Sequence, residues 1–196
     1  MKSPSDAQLR ASQRWNGWPN YLAGQFKNPK HFVDVGANIG YSALFFARHF
    51  PSVIITAIEP VERNYKYLRS NTAGHRHIVT VQTALGANEG ELTLSMSEDS
   101  DNLGKMSAFG SGRRSETVPM TTLDLLLIDH VDFIKIDVEG YELEVLKGAA
   151  QTLERYGPLI QMESNDEAEA WLLNHGYVLK TKWQGDWLFK RLETDD

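Results

Sequence analysis

Short apolar runs alternate with amphipathic segments along the first half of the chain. The runs at 31–36, 52–60 and 77–85 are rich in Val, Ile, Phe and Leu, a composition typical of buried strands. The stretches 38–50 and 62–72, which follow the first two runs, carry apolar residues at helical spacing. This order predicts a parallel sheet with crossover helices, because parallel neighbours need a long connection between them.

The pattern changes between residues 88 and 119, where two extended segments flank a turn-rich stretch. We interpret this part as a hairpin-like insertion. The alternation then resumes with elements predicted in this order: a short helix at 121–128, a strand at 131–137, a helix at about 141–156, a strand at 159–164, a helix at 166–176 and a closing hairpin. The sequence therefore predicts an α/β fold with a seven-stranded, mostly parallel sheet, one antiparallel strand and helices on both faces.

Composition narrows the class of protein. The chain has 196 residues, of which 41% are hydrophobic and 23% charged, so we expect one soluble domain over residues 31–196. The absence of cysteine leaves only Asp, Glu, Asn or His as metal ligands. A formal charge of -6 disfavours a nucleic-acid partner. Without an apolar run of roughly 20 residues or a signal-peptide core, we expect no membrane contact and a cytoplasmic location.

A glycine-containing turn, DVGANIG at 34–40, joins the first predicted strand to the first helix. Glycines there permit a tight turn and a close approach of backbone to ligand. The turn is not the dinucleotide fingerprint, because Asn38 occupies the position of the second glycine. The carboxylate of Asp34 would repel a pyrophosphate and attract a cation. The alternative is that Asp34 only stabilises the start of a helix.

Glu59 ends the second predicted strand, where an acid in this topology receives ribose hydroxyls. An acid near the turn, an acid for the ribose and no pyrophosphate cradle together indicate S-adenosylmethionine, an adenosine that carries a sulfonium and an amino acid. The alternative for Glu59 is a solvated acid at a strand end.

Five segments together resemble a known family: FVDVGANIGYSALFFAR, AIEP, VPMTTLDLLL, FIKIDVEGYELEVLKGA and GPLIQMES. In this order, over about 32–163, they closely resemble the FkbM-type family of class I S-adenosylmethionine-dependent methyltransferases. The resemblance implies a Rossmann-like enzyme that methylates a hydroxyl of a sugar, polyketide or similar small molecule. It also implies roles for particular residues: Asp34, Gly36, Ala37, Asn38 and Gly40 line the cofactor loop, Glu59 binds the ribose, and Ala84 with Leu85 border the adenine.

Two charged residues interrupt the apolar strand at 131–137. A central parallel strand is covered on both faces, so its residues are usually apolar. Lys135 and Asp137, two positions apart, project to the same face, as does Glu139 if the strand continues that far. A structural Lys–Asp pair is one explanation. The other is catalytic: Asp137 serves as general base or orients the acceptor, and Lys135 tunes it or stabilises an oxyanion.

Further candidates surround Asp137. Glu139 or His130 are alternative bases. Asp137, Glu163 and Asn165 are candidate oxygen ligands for Mg²⁺, which would acidify the acceptor hydroxyl, as in the catechol-type methyltransferases that this arrangement resembles. By contrast, we interpret Glu142 and Glu144 as surface charges that stabilise the dipole of the following helix.

Several alternatives stay open at this point. A nicotinamide-dependent oxidoreductase would need the phosphate cradle that Asp34 and Asn38 argue against, and a non-catalytic S-adenosylmethionine-binding module remains a third class. An RNA ribose methyltransferase would need a second lysine and a basic track. Residues 1–30 form either a lid over the substrate or a segment packed on the domain. The acceptor and the oligomeric state do not follow from the sequence.

Overall fold

The computed structural model describes residues 17–96, 106–108, 115–183 and 185–192. The helices in these ranges are α1 (Trp18–Ala23), α2 (Tyr41–His49), α3 (Glu62–Thr72), α4 (Glu142–Lys147), α5 (Ala150–Tyr156) and α6 (Asp166–Asn174). The strands are β1 (His31–Val35), β2 (Ile54–Ile58), β3 (Ile78–Val81), β4 (Ala84–Leu85), β5 (Gly90–Met96), β6 (Met106–Ser107), β7 (Ser115–Thr121), β8 (Phe133–Ile136), β9 (Leu159–Glu163), β10 (Tyr177–Trp183) and β11 (Asp186–Arg191).

The main sheet has seven strands in the order β10-β11-β9-β8-β1-β2-β3. Strand β11 pairs antiparallel with both β10 and β9, whereas the other neighbours pair in parallel. One strand therefore runs against the rest, as predicted. The order reverses beside β1, so ligands of this fold are expected at the carboxyl ends of β1 and β8.

Three element boundaries differ from the prediction. The strand expected at 77–85 divides, because Ala84 and Leu85 leave the main sheet and pair with β7. The helix expected at 121–128 is a 3₁₀ turn, Asp124–Leu126, in which the Thr122 hydroxyl accepts a hydrogen bond from the Leu125 N–H. The helix expected at about 141–156 is divided into α4 and α5 at Gly148, where a Cβ atom would lie 1.9 Å from the Gly86 carbonyl oxygen.

The predicted insertion forms a small second sheet of order β4-β7-β5-β6. Strands β5 and β7 pair antiparallel from Gly90 with Met120 to Ser95 with Ser115, as expected for a hairpin. The tip of this insertion, residues 97–105 and 109–114, lies outside the described residues.

Each face of the main sheet packs against its own helices. Helices α1, α2 and α3 cover one face, whose core includes Phe32, Phe46 and Phe133, and α4, α5 and α6 cover the other. In the predicted N-terminal segment, Trp18 and Leu22 are fully buried in the first of these cores. This part of the segment therefore packs on the domain. The rest of it, residues 1–16 with Trp15, lies outside the described residues. Within those residues, no helix is both long and apolar enough to cross a membrane.

Candidate active site

The glycine turn after β1 is held by contacts with the rest of the protein. The N–H groups of Gly36 and Ala37 both donate to the Ile58 carbonyl, at 3.0 and 2.9 Å. Gly36 has a φ of 76°, and a Cβ atom there would lie 1.9 Å from the Asp137 carbonyl oxygen. Gly40 has a φ of 94° at the start of α2 and packs against Leu68 of α3. The close approach that Gly36 permits is thus to the protein's own chain, and it joins the turn after β1 to the turn after β8.

Glu59 follows β2 directly and is buried. Its carboxylate accepts hydrogen bonds from the N–H groups of Asn38 at 2.9 Å and Val61 at 3.0 Å, and from the Asn64 amide at 3.3 Å. Burial raises the pKa of Glu59 to about 7, although these three donors oppose the shift. A carboxylate offers about four acceptor positions, so one position is left for a ligand hydroxyl.

A buried charge network lies between β1 and β8. Asp34 accepts a hydrogen bond from the Ser42 hydroxyl, and its other oxygen lies 3.6 Å from the Lys135 ammonium. Lys135 also donates to Asp137 at 2.9 Å, as expected for residues on one face. Burial opposes the charge on Lys135, but the carboxylates of Asp137 and Asp34 outweigh it and raise its pKa. Lys135 therefore stays protonated and cannot act as a proton shuttle.

Two glutamates near this network differ from the prediction. Strand β8 ends at Ile136, so Glu139 does not continue it and lies instead in the following turn with a φ of 52°. Glu142 is not a surface charge but is 1% exposed. Its two oxygens accept hydrogen bonds from the Gly140 N–H at 3.1 Å and the Asn165 amide at 2.8 Å. This acid ties the turn after β8 to the start of α6.

The predicted metal set does not fit a cation. Asn165 uses its side-chain oxygen to accept the Ala168 N–H at the start of α6, and its amide nitrogen donates to Glu142. Its oxygen is therefore already occupied, although the set needs it as a ligand. Among the described residues, no group of three or more His, Asp or Glu is arranged to hold a metal ion.

His130 lies at the wrong edge of the sheet to act as a base beside Asp137. It precedes β8 and contacts Asp132 at 3.1 Å, and Asp132 in turn accepts the N–H of His31 at 3.0 Å at the beginning of β1. Asp137 follows the other end of β8. The length of the strand separates the two residues.

Glu163 ends β9, on the Asp137 side of β8. Partial burial, followed by the carboxylates of Asp137, Glu139, Glu142 and Asp186, raises the pKa of Glu163 to about 7. A carboxyl group that titrates near neutral pH is suited to accept a proton. The sequence pattern indicates Glu163 only as a metal ligand.

The two residues expected to border an adenine occupy different surroundings. Both Ala84 and Leu85 are buried in the short strand β4. Ala84 packs in one apolar cluster with Val61, close to Glu59 in the chain. Leu85 belongs to the large core that also holds Val35.

Sequence reasoning missed Ser42, Gln161 and Asp186. Ser42 bonds to Asp34 from within a helix, and a contact between separate elements leaves no local pattern. Asp186 is brought near Glu163 only by the antiparallel pairing of β11 with β9. The sequence does contain a signal for Gln161, because it is a polar residue in the apolar run LIQM.

Comparisons with known proteins agree with this fold. The sequence model described as the Methyltransferase FkbM domain matches residues 34–179. Methyltransferase sdnD of Sordaria araneosa is 30% identical over 163 residues, a match that covers 65% of this chain and 62% of that protein. The chain thus spans less than two thirds of this curated relative.

Solved structures are similar at lower sequence identity. The crystal structure of Methyltransferase FkbM from Methylobacillus flagellatus superposes with a TM-score of 0.60 at 20% identity, covering 84% of this chain and 44% of that one. TrmK of M. capricolum, solved with S-adenosyl-homocysteine, gives a TM-score of 0.52 at 11% identity and covers 88% of this chain and 65% of that one. The family match runs from the acid that opens the glycine turn to strand β10, and on that ground the chain belongs to the family of methyltransferase FkbM domains.

Proposed function

We propose that this chain binds S-adenosylmethionine at the carboxyl ends of β1, β2 and β8 and transfers its methyl group to a hydroxyl of a small-molecule acceptor. The observation that carries the proposal is the buried network in which Lys135 lies between Asp34 and Asp137, at the point where the strand order reverses. Membership of the methyltransferase FkbM domain family supports the same chemistry.

The residues around the turn fit the proposed cofactor. The cofactor loop comprises Asp34, Gly36, Ala37, Asn38 and Gly40. Asp34 is buried, with one oxygen bonded to the Ser42 hydroxyl and the other 3.6 Å from the Lys135 ammonium, so its part in the loop is to hold Ser42 and Lys135 in place beside the ligand.

The adenosine end of the cofactor has its own contacts in this proposal. Glu59 retains one acceptor position for a ribose hydroxyl, and Ala84 and Leu85 supply an apolar border for the adenine. TrmK, which has a similar fold, was crystallised with S-adenosyl-homocysteine, the product form of this ligand.

The bound cofactor supplies an electrophilic methyl group on sulfur, and the protein must place the acceptor and accept its proton. Asp137 is the first candidate for that base, because 38% of its side chain is exposed while Lys135 fixes one of its oxygens. Glu163 is a second candidate, since its pKa of about 7 suits proton transfer at neutral pH. Glu139, in the turn after β8, remains a third.

The first test separates binding from catalysis. Isothermal titration with S-adenosylhomocysteine should show binding, and the Asp137→Asn variant should bind it within about threefold of the wild type. Transfer of a labelled methyl group into a small-molecule extract should fall by about 10²–10⁴-fold in that variant. Glu144→Gln is the control, because Glu144 forms an ion pair with Lys147 on the helix surface and should keep both activities.

The same experiment distinguishes the other classes. No binding of S-adenosylhomocysteine at millimolar concentration would contradict the proposal, and fluorescence of bound NADH would support an oxidoreductase instead. Binding without any transfer would indicate a non-catalytic module. Unchanged transfer by Asp137→Asn would shift the role of base to Glu163.

A further inference from the structure

An apolar run before β8 exposes every second residue. Within LLLI at 125–128, Leu126 and Ile128 pack against the large core, whereas Leu125 is 50% and Leu127 82% exposed. Leu127 also has a left-handed backbone, with a φ of 50° and a ψ of 46°, at the end of the 3₁₀ turn. A bulky residue is strained in that conformation, and Leu127 gains little burial inside the chain in return. Two exposed leucines in one turn, one of them strained, indicate a contact outside the chain.

A cavity and two opposite charges adjoin Leu127. The cavity has a volume of about 190 Å³, and Leu127, Asp129 and Arg155 all line it. Cavities of roughly 150 Å³ take up a benzene molecule, so this one has room for a leucine side chain. Asp129 and Arg155 are both exposed, and neither has an ion-pair partner among the described residues. We call Leu125, Leu127, Asp129 and Arg155, together with this cavity, the leucine patch.

The acid in the cavity wall is used inside the fold. Asp124 also lines the cavity, and its carboxylate accepts hydrogen bonds from the N–H groups of Gln151 at 3.0 Å and Thr152 at 2.8 Å, and from the Thr152 hydroxyl at 2.7 Å. These donors belong to the first turn of α5, so Asp124 fixes that helix to the turn before β8. The cavity wall is therefore held in place, and this carboxylate needs no ligand.

The leucine patch is complementary to itself. It carries an exposed apolar residue beside a cavity, and an acid beside a base. In a contact with two-fold symmetry, residue i of one copy meets residue j of the other, and j meets i. Leu127 of each copy can therefore enter the cavity of the other, and Asp129 of each copy can face Arg155 of the other. A second copy of this chain thus supplies every feature that the patch requires of a partner.

We propose that the leucine patch joins two copies of this chain in an isologous dimer. The patch precedes β8, whereas Asp137 follows the other end of that strand, so the contact leaves the proposed active site of each copy open. Because the patch is small for an interface, the dimer should be weak, with a dissociation constant of about 1–100 µM. The inference does not depend on the proposed methyl transfer.

Sedimentation velocity over a concentration series measures the dimer. The full chain is compared from about 1 to 500 µM at low ionic strength, because salt screens exposed charges. The sedimentation coefficient should rise from the monomer value towards the dimer value across this series. A monomer at every concentration would overturn the inference and would leave the patch to a different protein.

Leu127→Asn tests the apolar contact. Asn adopts a left-handed backbone more readily than Leu, so the thermal midpoint at about 1 µM should lie within about 2 °C of the wild type or above it. The dissociation constant should rise at least about tenfold, because each dimer loses two buried leucines. Val79→Thr is the control, since Val79 is 49% exposed on the edge strand β3 and should not affect dimerisation. Unchanged dimerisation by Leu127→Asn would overturn the assignment to the leucine patch.

Charge reversals test the two-fold arrangement. Asp129→Lys places two pairs of bases across the contact and Arg155→Glu places two pairs of acids there, so each variant alone should dimerise about tenfold more weakly. In an equimolar mixture, one copy supplies only bases at these positions and the other only acids. The mixture should therefore associate within about threefold of the wild type. A mixture that stays as weak as its components would overturn the two-fold contact.

Discussion

Toward their carboxyl ends, the two faces of the three central strands have opposite character, whereas near their beginnings Phe32 and Phe133 make the face toward α1, α2 and α3 apolar as well. On the face that packs against α4, α5 and α6, β8 and β9 contribute Ile134, Ile136 and Ile160, all buried among apolar neighbours. On the other face, the adjacent positions carry Asp34, Lys135 and Gln161, which are equally buried. A parallel sheet is expected to be apolar on both faces. The first face follows that rule and the second departs from it.

The difference between the faces distinguishes residues that stabilise the domain by apolar packing from the buried polar residues of the candidate site. Apolar residues on the first face need no specific partner, whereas a buried charge on the second face is tolerated only when it is paired. Lys135 meets that condition by contacting both Asp34 and Asp137. Gln161 is uncharged but equally buried, and its amide has no hydrogen-bond partner among the described residues. The departures from the apolar rule lie in the region where we propose that the ligands bind.

The largest predicted effect is the loss of the buried ion pair. Lys135→Met leaves Asp34 as a buried, uncompensated carboxylate and should lower the free energy of unfolding by about 3–5 kcal/mol. Chemical denaturation at neutral pH measures this change. Ile134→Val, at the adjacent position on the apolar face, should cost only about 1 kcal/mol.

A double variant sharpens this comparison. Combining Lys135→Met with Asp34→Asn removes both the ammonium and the buried carboxylate beside it, so most of the lost stability should return. A loss below about 1 kcal/mol in the single variant would show that the polar face is no more sensitive than the apolar one.

A second prediction concerns pH and the buried acid after β2. Its raised pKa means that Glu59 holds its proton more tightly in the folded chain than in the unfolded chain, between the reference pKa of 4.5 and the folded value of about 7. Stability should therefore fall as the pH rises through that window and level off above it. Relative to Glu59→Gln, the wild type should lose up to about 3 kcal/mol of unfolding free energy across the window.

The measurement is a series of denaturation curves for both proteins at several pH values. A difference between the two that is independent of pH would mean that the hydrogen bonds from Asn38, Val61 and Asn64 keep Glu59 ionised and outweigh its burial.

The fold could be predicted because its pattern is repetitive and local. Alternating strands and helices, with a closing hairpin, gave the seven-stranded sheet and its single antiparallel strand. The errors lie where a distant contact decides a boundary. Gly148 lies where the helix expected at 141–156 divides, and a side chain there would meet the Gly86 backbone, a contact that nothing near residue 148 in the sequence indicates.

The candidate site could be predicted only in part. Strand periodicity predicted the contact between Lys135 and Asp137, because residues two apart on a strand project to the same face. Glu142 was misjudged, since its position in a first helical turn suggested a dipole role while its partner Asn165 comes from another helix. The proximity of Asp186 to Glu163 depends on strand pairing, which an amino-acid sequence does not specify locally.

The smallest predicted effect concerns Gln161, which departs from the apolar rule and has no hydrogen-bond partner among the described residues. Gln161→Met replaces a buried, unpaired amide with an apolar side chain of similar length, so the free energy of unfolding should rise by about 1 kcal/mol. The denaturation midpoint measures the change, and Gln151→Met, on the exposed surface of α5, is the control for the substitution itself.

A gain in stability in Gln161→Met would mean that the buried amide is unpaired inside the fold. A loss of about 1 kcal/mol or more would instead mean that the amide is paired inside the fold, for example by a buried water. In that case Gln161 would resemble Lys135, as a buried polar residue whose hydrogen-bonding groups have partners. The two faces would then differ only in that the second one carries paired polar groups.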